Sequence, residues 1–223
     1  MSVAVAPLER RVWREFLRLK MRLWDQRRYG RLVLERVGDM PLVVLPEVFN
    51  PVLLRSGAFL VEVLDKLAPP RAHVLDLGCG SGAAGIAAAL RGCRVVAVDI
   101  NPSAVRCTRI NALLNNVSVD VHQGDLFAPV KDERFDLVLF NPPYYRGQPR
   151  DALDHAWRSP DVIERFSAEL RAHMYDDGRA LVVLSTDGER DSFLANLAVQ
   201  GFQYEVIAQR DYGNELMSVY SVC

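Results

Sequence analysis

The run "HVLDLGCGSGAAG", His73 to Gly85, decides the fold. "HVLDLG" reads as a short buried strand, and a Gly/Ala-rich helix follows through Leu90. Between them, Gly78, Gly80 and Gly82 permit a tight turn and a close approach of ligand to backbone. Downstream, "RVVAVDI" (Arg94–Ile100) is a second strand, and Asn101-Pro102 opens a helix with proline at its first position. "VSVDVHQ" and "FDLVLF" are further strands, a helix is expected from Pro160 to Met174, and the strand "RALVVLS" and a helix near Glu189–Val199 follow. "FQYEVIAQR" and "ELMSVYSV" form two closing strands joined by a Gly-Asn turn, adding an antiparallel strand at one edge. Alternating strand and helix with continuously apolar strands means an α/β fold, a mostly parallel sheet covered on both faces.

Upstream of this unit the pattern changes. Apolar residues at Leu8, Val12, Phe16, Leu19 and Leu23 fall on one face of a helix reaching about Arg28, with arginines on the other face. "RLVLERV", Gly38-Asp39 and "PLVVLP" read as a β-hairpin. Residues 51–67 read as helix, and "LAPPR" is a boundary. The expected division is therefore 1–50, a basic amphipathic helix and hairpin extension, and 51–223, the main domain.

Composition narrows the class. The chain has 223 residues, half of them hydrophobic and a quarter charged, as expected for one substantial core. No apolar run is long enough to span a membrane and no signal-peptide pattern opens the chain, so a cytoplasmic protein is expected. The four cysteines and four histidines lack metal-ligand spacing, so no metal is expected. Net charge is −1, but residues 1–40 hold ten basic against five acidic side chains. That asymmetry points weakly to an anionic partner for the N-terminal segment.

The glycine run is a cofactor loop with two readings. Gly80, Gly82 and Gly85 satisfy GxGxxG, and Asp99, with Ile100 beside it, ends the next strand where an acid accepts from ribose hydroxyls. A nicotinamide-dependent oxidoreductase fits that spacing. Asp76, however, stands against the loop, where it would repel a pyrophosphate and attract the ammonium and sulfonium of S-adenosylmethionine. "GDLF" then places Asp125 and Leu126 at the end of the third strand, as an acceptor for an adenine amino group and a backbone donor for a ring nitrogen.

"VLFNPPYYRG", Val138 to Gly147, adds chemistry. Two prolines remove two donors and fix two φ angles, so the strand stops there. Its C-terminal end opens toward the cofactor, beside the first strand. The side-chain oxygen of Asn141 and the carbonyl of Pro142 are two rigid acceptors, suited to an NH2 group on a planar nitrogen. Tyr144 is a stacking platform that excludes water. No strong base is required, because holding both hydrogens favours a pyramidal nitrogen whose lone pair faces the cofactor methyl.

"VLDLGCGSG", "VVAVDINP", "GDLF" and "FDLVLFNPPY" resemble the successive motifs of class I S-adenosylmethionine-dependent methyltransferases, and most of all the HemK-type protein-glutamine methyltransferases, from about Val43 to the C-terminus. "HAWRSPDVIERF" and "GNELMSVYSV" are similar to that family's downstream segments. The resemblance implies a Rossmann-like seven-stranded sheet with an antiparallel last strand, and S-adenosyl-L-methionine as cofactor. It implies that Asp76, Gly78 and Gly80 line the methionine part, Asp99 the ribose and Asp125 the adenine, while Asn141 and Pro142 hold the target amide. The family's substrate is a glutamine of translation release factors. Where the family's small branch has an acidic stretch upstream of the glycine loop, this chain has "FNPVLLRSGAFL". The alternative enzyme reading is methylation of an exocyclic amine of adenine or guanine in RNA or DNA, with the Arg-rich segment Arg10–Arg31 on phosphates. A small activator subunit is a further candidate partner. No pattern encodes the oligomeric state.

Overall fold

In the computed structural model, residues 30–67, 71–151 and 153–223 are described here; the expected helix at Leu8–Arg28 lies outside them. The first elements are a hairpin, β1 (Val33–Val37) and β2 (Met40–Val44), and helix α1 (Ser56–Leu67). Then come β3 (His73–Leu77), α2 (Ala83–Leu90), β4 (Arg94–Asp99), α3 (Pro102–Leu114), β5 (Asp120–Gln123) and β6 (Phe135–Phe140). A two-residue pair, β7 (Tyr145–Arg146) and β8 (Arg158–Ser159), precedes α4 (Val162–Glu169), β9 (Met174–Ser185), α5 (Arg190–Val199), β10 (Tyr204–Asp211) and β11 (Leu216–Val222).

Seven strands form one sheet in the order β10-β11-β9-β6-β3-β4-β5. β9, β6, β3, β4 and β5 run parallel, while β11 is antiparallel to both of its neighbours. The antiparallel strand is therefore second from the edge, inserted between β9 and β10, and β10 forms the edge itself. Strand order reverses at β3, since β4 and β5 lie on one side of it and β6 and β9 on the other. The C-terminal ends of β3 and β6 are thus adjacent at a topological switch point, with Leu77 paired to Phe140.

Period-two alternation sends successive side chains to opposite faces. Val74, Leu137, Leu139, Leu181 and Val183 face α1 and α2, whereas Leu75, Val138, Phe140, Val182 and Leu184 face α4 and α5. Phe166 stacks on Phe140 at 4.4 Å and fixes α4 against β6. The hairpin joins the first of these cores through Val37, Met40 and Leu42. It is also clamped to α3, where the Asn111 amide exchanges two 2.7 Å hydrogen bonds with the Val43 backbone.

Several boundaries differ from those read in the sequence. Residues 51–55 are turns and the helix begins at Ser56, because Arg55 adopts a left-handed φ of 66°. The helix expected to reach Met174 ends as α at Glu169, tightens into a 3-10 turn over Leu170–His173, and gives way to β9 at Met174. β9 begins earlier than "RALVVLS", at Met174, through three exposed residues, Tyr175–Asp177, that carry no apolar run. β5 is shorter than "VSVDVHQ", since the Val117 N–H still bonds back to Ala112 of α3.

Gly82 shows how tightly the central turn is built. It has φ 79°, and a Cβ there would lie 2.7 Å from Thr108 Cγ2. Gly82→Ala should therefore cost about 2–4 kcal/mol, combining left-handed backbone strain with overpacking. Gly201→Ala, with φ 78° and open space within 4 Å of where a Cβ would stand, should cost about 1–2 kcal/mol. Urea denaturation of both variants measures the difference.

Candidate active site

A pocket opens at the switch point, over the ends of β3, β4 and β6. The glycine turn forms its floor. Gly78 and Gly80 have φ of 67° and 56°, and the N–H groups of Gly78 and Cys79 are tied to the Val98 carbonyl at 2.8 and 3.0 Å. Of the other expected cofactor residues, Asp76, Asp99, Ile100, Asp125, Leu126 and Asn141 also line the pocket.

Each acid is held differently. Asp76 is buried, and its Oδ2 accepts the Gly85 N–H at 2.8 Å. Burial pushes its carboxyl up to about 7, opposed by the Gly85 N–H and reinforced by the charge of Asp99. Asp99 accepts from Gly80 N–H and Asn101 N–H, both at 2.8 Å, one on each oxygen. Burial also raises its pKa, against those two hydrogen bonds and the nearby His155. Asp125 is exposed and ion-paired to Arg165 of α4 at 2.8 Å. The pocket thus runs from a buried acid, past a second acid fixed to the glycine turn, to an exposed acid beside Leu126, with Ile100 and Phe140 as apolar walls. That sequence of groups fits a cationic amino acid end, a ribose and a flat base.

Asn141 follows β6 directly at the mouth. Its Nδ2 donates to Ser56 Oγ at 3.0 Å, and its Oδ1 accepts from the Tyr144 hydroxyl at 3.1 Å. Burial raises the Tyr144 pKa far above the ordinary phenol value, so the group stays protonated and donating. Tyr144 is braced from behind: its carbonyl accepts from Glu189 N–H at 3.1 Å, and a Cβ on Gly188 would lie 2.8 Å from that oxygen.

Three expected site residues stand outside the pocket lining. Gly82 packs on Thr108 at the start of α2, Pro142 is buried, and the Tyr144 hydroxyl turns to Asn141 and Ser56. The Asn141 Oδ1 expected to accept from a substrate already spends one lone pair on Tyr144.

Other lining residues escape the motif reading. Glu47, with φ 63°, supplies an acid just ahead of "FNPVLLRSGAFL" and anchors Asn101 through its carbonyl at 2.7 Å. Phe49 closes the outer wall with Trp157, ring centroids 5.6 Å apart. His155 and Arg158 belong to the same wall. That segment is pinned by buried Asp154, which pairs with Arg150 at 3.0 Å and Arg158 at 3.6 Å. The only sequence signal for these residues is charge and aromaticity in loops on either side of the motifs.

An α/β sheet of this order with a glycine turn, acids on successive strand ends and an Asn-Pro-Pro-Tyr exit defines a class I methyltransferase fold. Residues 39–211 match the methyltransferase small domain family. The chain belongs to that family and is an S-adenosylmethionine-dependent methyltransferase. A Methanocaldococcus jannaschii protein, provisionally named a protein N5-glutamine methyltransferase, is 33% identical over 187 residues, covering 78% of this chain and 90% of that protein. The release factor glutamine methyltransferase of Geobacter sulfurreducens is 37% identical over 56% of this chain but only 42% of its own length. The ribosomal RNA small subunit methyltransferase C of Alcanivorax borkumensis is 32% identical over 64% of this chain and 42% of its own. The chain thus spans less than half the length of these two bacterial relatives. Among solved structures, the Thermus thermophilus 16S rRNA N2 G1207 methyltransferase superposes with TM-score 0.64 at 22% identity, over 86% of this chain and 50% of that one. At that identity it shows the shared fold. Among the described residues, no helix is long and apolar enough to cross a membrane.

Proposed function

We propose that this enzyme methylates the side-chain amide nitrogen of a protein glutamine, of the kind presented by a translation release factor. The observation that carries the reading is Asn141, fixed at the mouth of the cofactor pocket with one amide-oxygen lone pair left for an N–H donor. Among the described residues no backbone N–H pairs with the Pro142 carbonyl, which in this reading serves as the second acceptor. The substrate class is supported by the archaeal relative, which matches along nearly its whole length, whereas the rRNA relative matches less than half of its own.

In this reading Asp76 holds the cofactor's amino group, Asp99 its ribose diol, and Asp125 with Leu126 its adenine, over Gly78 and Gly80. Bound S-adenosylmethionine supplies an electrophilic methyl group. Asn141 and Pro142 accept hydrogen bonds from the two N–H groups of the acceptor amide and orient its nitrogen, while the Tyr144 hydroxyl holds the Asn141 oxygen in place. The setting proposed is cytoplasmic.

Asp76 makes cofactor binding pH-dependent. Its folded-state pKa of about 7 lies above the ordinary 3.8, so the carboxyl contributes stability at low pH that is lost as pH rises through about 7. A cationic ligand group favours the ionised form, so binding below pH 7 expels a proton. Affinity should weaken by up to about tenfold per pH unit as pH falls below 7, and calorimetry at pH 6, 7 and 8 measures it. Asp76→Asn should flatten that profile, and its apo form should gain stability relative to wild type between pH 5 and 8.

Methyl-labelled S-adenosylmethionine supplied with purified release factor, tRNA or rRNA in separate reactions tests the substrate. Label in the release factor is expected; label confined to RNA would instead support the exocyclic-amine reading.

A further inference from the structure

We infer that Ser56 is a positioning residue for methyl transfer, its buried hydroxyl deciding which end of the Asn141 amide faces the acceptor. The inference rests on the amide-methylation reading and assigns a role to a residue 85 positions upstream of Asn141. An asparagine amide presents an oxygen or an NH2 according to its flip, and only the oxygen can receive an N–H of the acceptor. A flipped Asn141 would meet the acceptor NH2 donor to donor.

Ser56 is fully buried, and its Oγ takes the Nδ2 hydrogen at 3.0 Å. The Tyr144 hydroxyl, held protonated by burial, donates to Oδ1 at 3.1 Å and also neighbours Ser56. The three side chains form a compact network in which the phenol, the strongest donor, meets the amide oxygen, the strongest acceptor. In that arrangement Oδ1 keeps a second lone pair beyond the one given to Tyr144, on a residue that lines the pocket.

The backbone is bent to deliver Ser56 there. Arg55, a non-glycine residue, is held at φ 66°, a conformation that persists only where its surroundings overdetermine it. The Asn50 side chain accepts from Val52 N–H and Leu53 N–H at 3.0 and 2.9 Å. Gly57 is pressed so closely to Pro51 that a Cβ would lie 2.6 Å from it. The Arg55 guanidinium lies 4.8 Å over the Tyr212 ring. Strain of this kind in a loop that touches Asn141 has a purpose if the hydroxyl it places is used.

The test compares wild type with Ser56→Ala on purified release factor, measuring kcat, KM for the acceptor, cofactor Kd by calorimetry, and thermal unfolding. We expect kcat to fall roughly 5- to 50-fold, with the S-adenosylmethionine Kd within about twofold of wild type. A merely structural serine would lower thermal stability and weaken cofactor binding along with turnover. That pattern, or an unchanged kcat, overturns the inference. If the alanine variant does not fold, Ser56→Cys, close in volume and poor as an acceptor, is read by the same criteria. If wild type itself labels RNA and leaves the release factor unmodified, the glutamine reading fails, and the same comparison on that RNA decides Ser56 separately.

Discussion

Asn141→Ala is expected to lower turnover by about two to three orders of magnitude, the scale seen when one preorganised polar contact to a reacting centre is removed. Cofactor affinity should stay within about twofold, because the acids and glycines that line the rest of the pocket are untouched. The size of the effect follows from what the side chain does. In the proposed reading its oxygen is one of two acceptors for the acceptor nitrogen's hydrogens, and its loss leaves that nitrogen planar and free to rotate. The structural cost is smaller. Two hydrogen bonds vanish, to Ser56 and from Tyr144, worth about 1 kcal/mol each. The two hydroxyls left behind can bond to each other. A folded variant with a normal rate would remove Asn141 from the chemistry.

Asp99→Ala should act on the other half of the reaction, weakening S-adenosylmethionine binding by about 1.5–3 kcal/mol. A carboxylate offers about four lone-pair sites. Two are used internally, by Gly80 N–H and Asn101 N–H, which leaves two for a ribose diol. In the proposed reading alanine removes the ribose partner, and it also releases the glycine turn from the start of α3, so the pocket floor loosens as well. Asp99→Asn keeps one acceptor oxygen and should fall between wild type and alanine. Measured at saturating cofactor, kcat should stay near wild type, the reverse of the Asn141 pattern. An unchanged Kd in the alanine variant would contradict the placement of the ribose.

The centre of the sheet was readable because its strands are buried on both faces. "HVLDLG", "RVVAVDI" and "FDLVLF" carry nearly unbroken apolar runs, which allow little else. The acids were readable because each stands at a strand end next to a glycine or proline signal. The outer wall was not. Glu47, Phe49, His155 and Arg158 come from loops, where neither period marks which side chain turns inward. Ser56 was hidden for the same reason, since a contact between residues 56 and 141 leaves no trace in local spacing. The motif groups Gly82 with Gly78 and Gly80, which makes it a ligand-facing glycine on sequence alone. The left-handed turn it makes serves the packing of α2 on Thr108. The position of β11 inside the sheet also went unread, because a hairpin pattern says which strands pair but not which of the two meets the sheet.

In the proposed reading the nitrogen held by Asn141 and Pro142 belongs to a glutamine side chain. Peptide mass spectrometry of release factor incubated with the enzyme and S-adenosylmethionine decides whether it does. A single added methyl group on one glutamine side chain is predicted, absent from the Asn141→Ala reaction. Unmodified release factor, alongside methylated adenine or guanine in RNA treated in parallel, would contradict it.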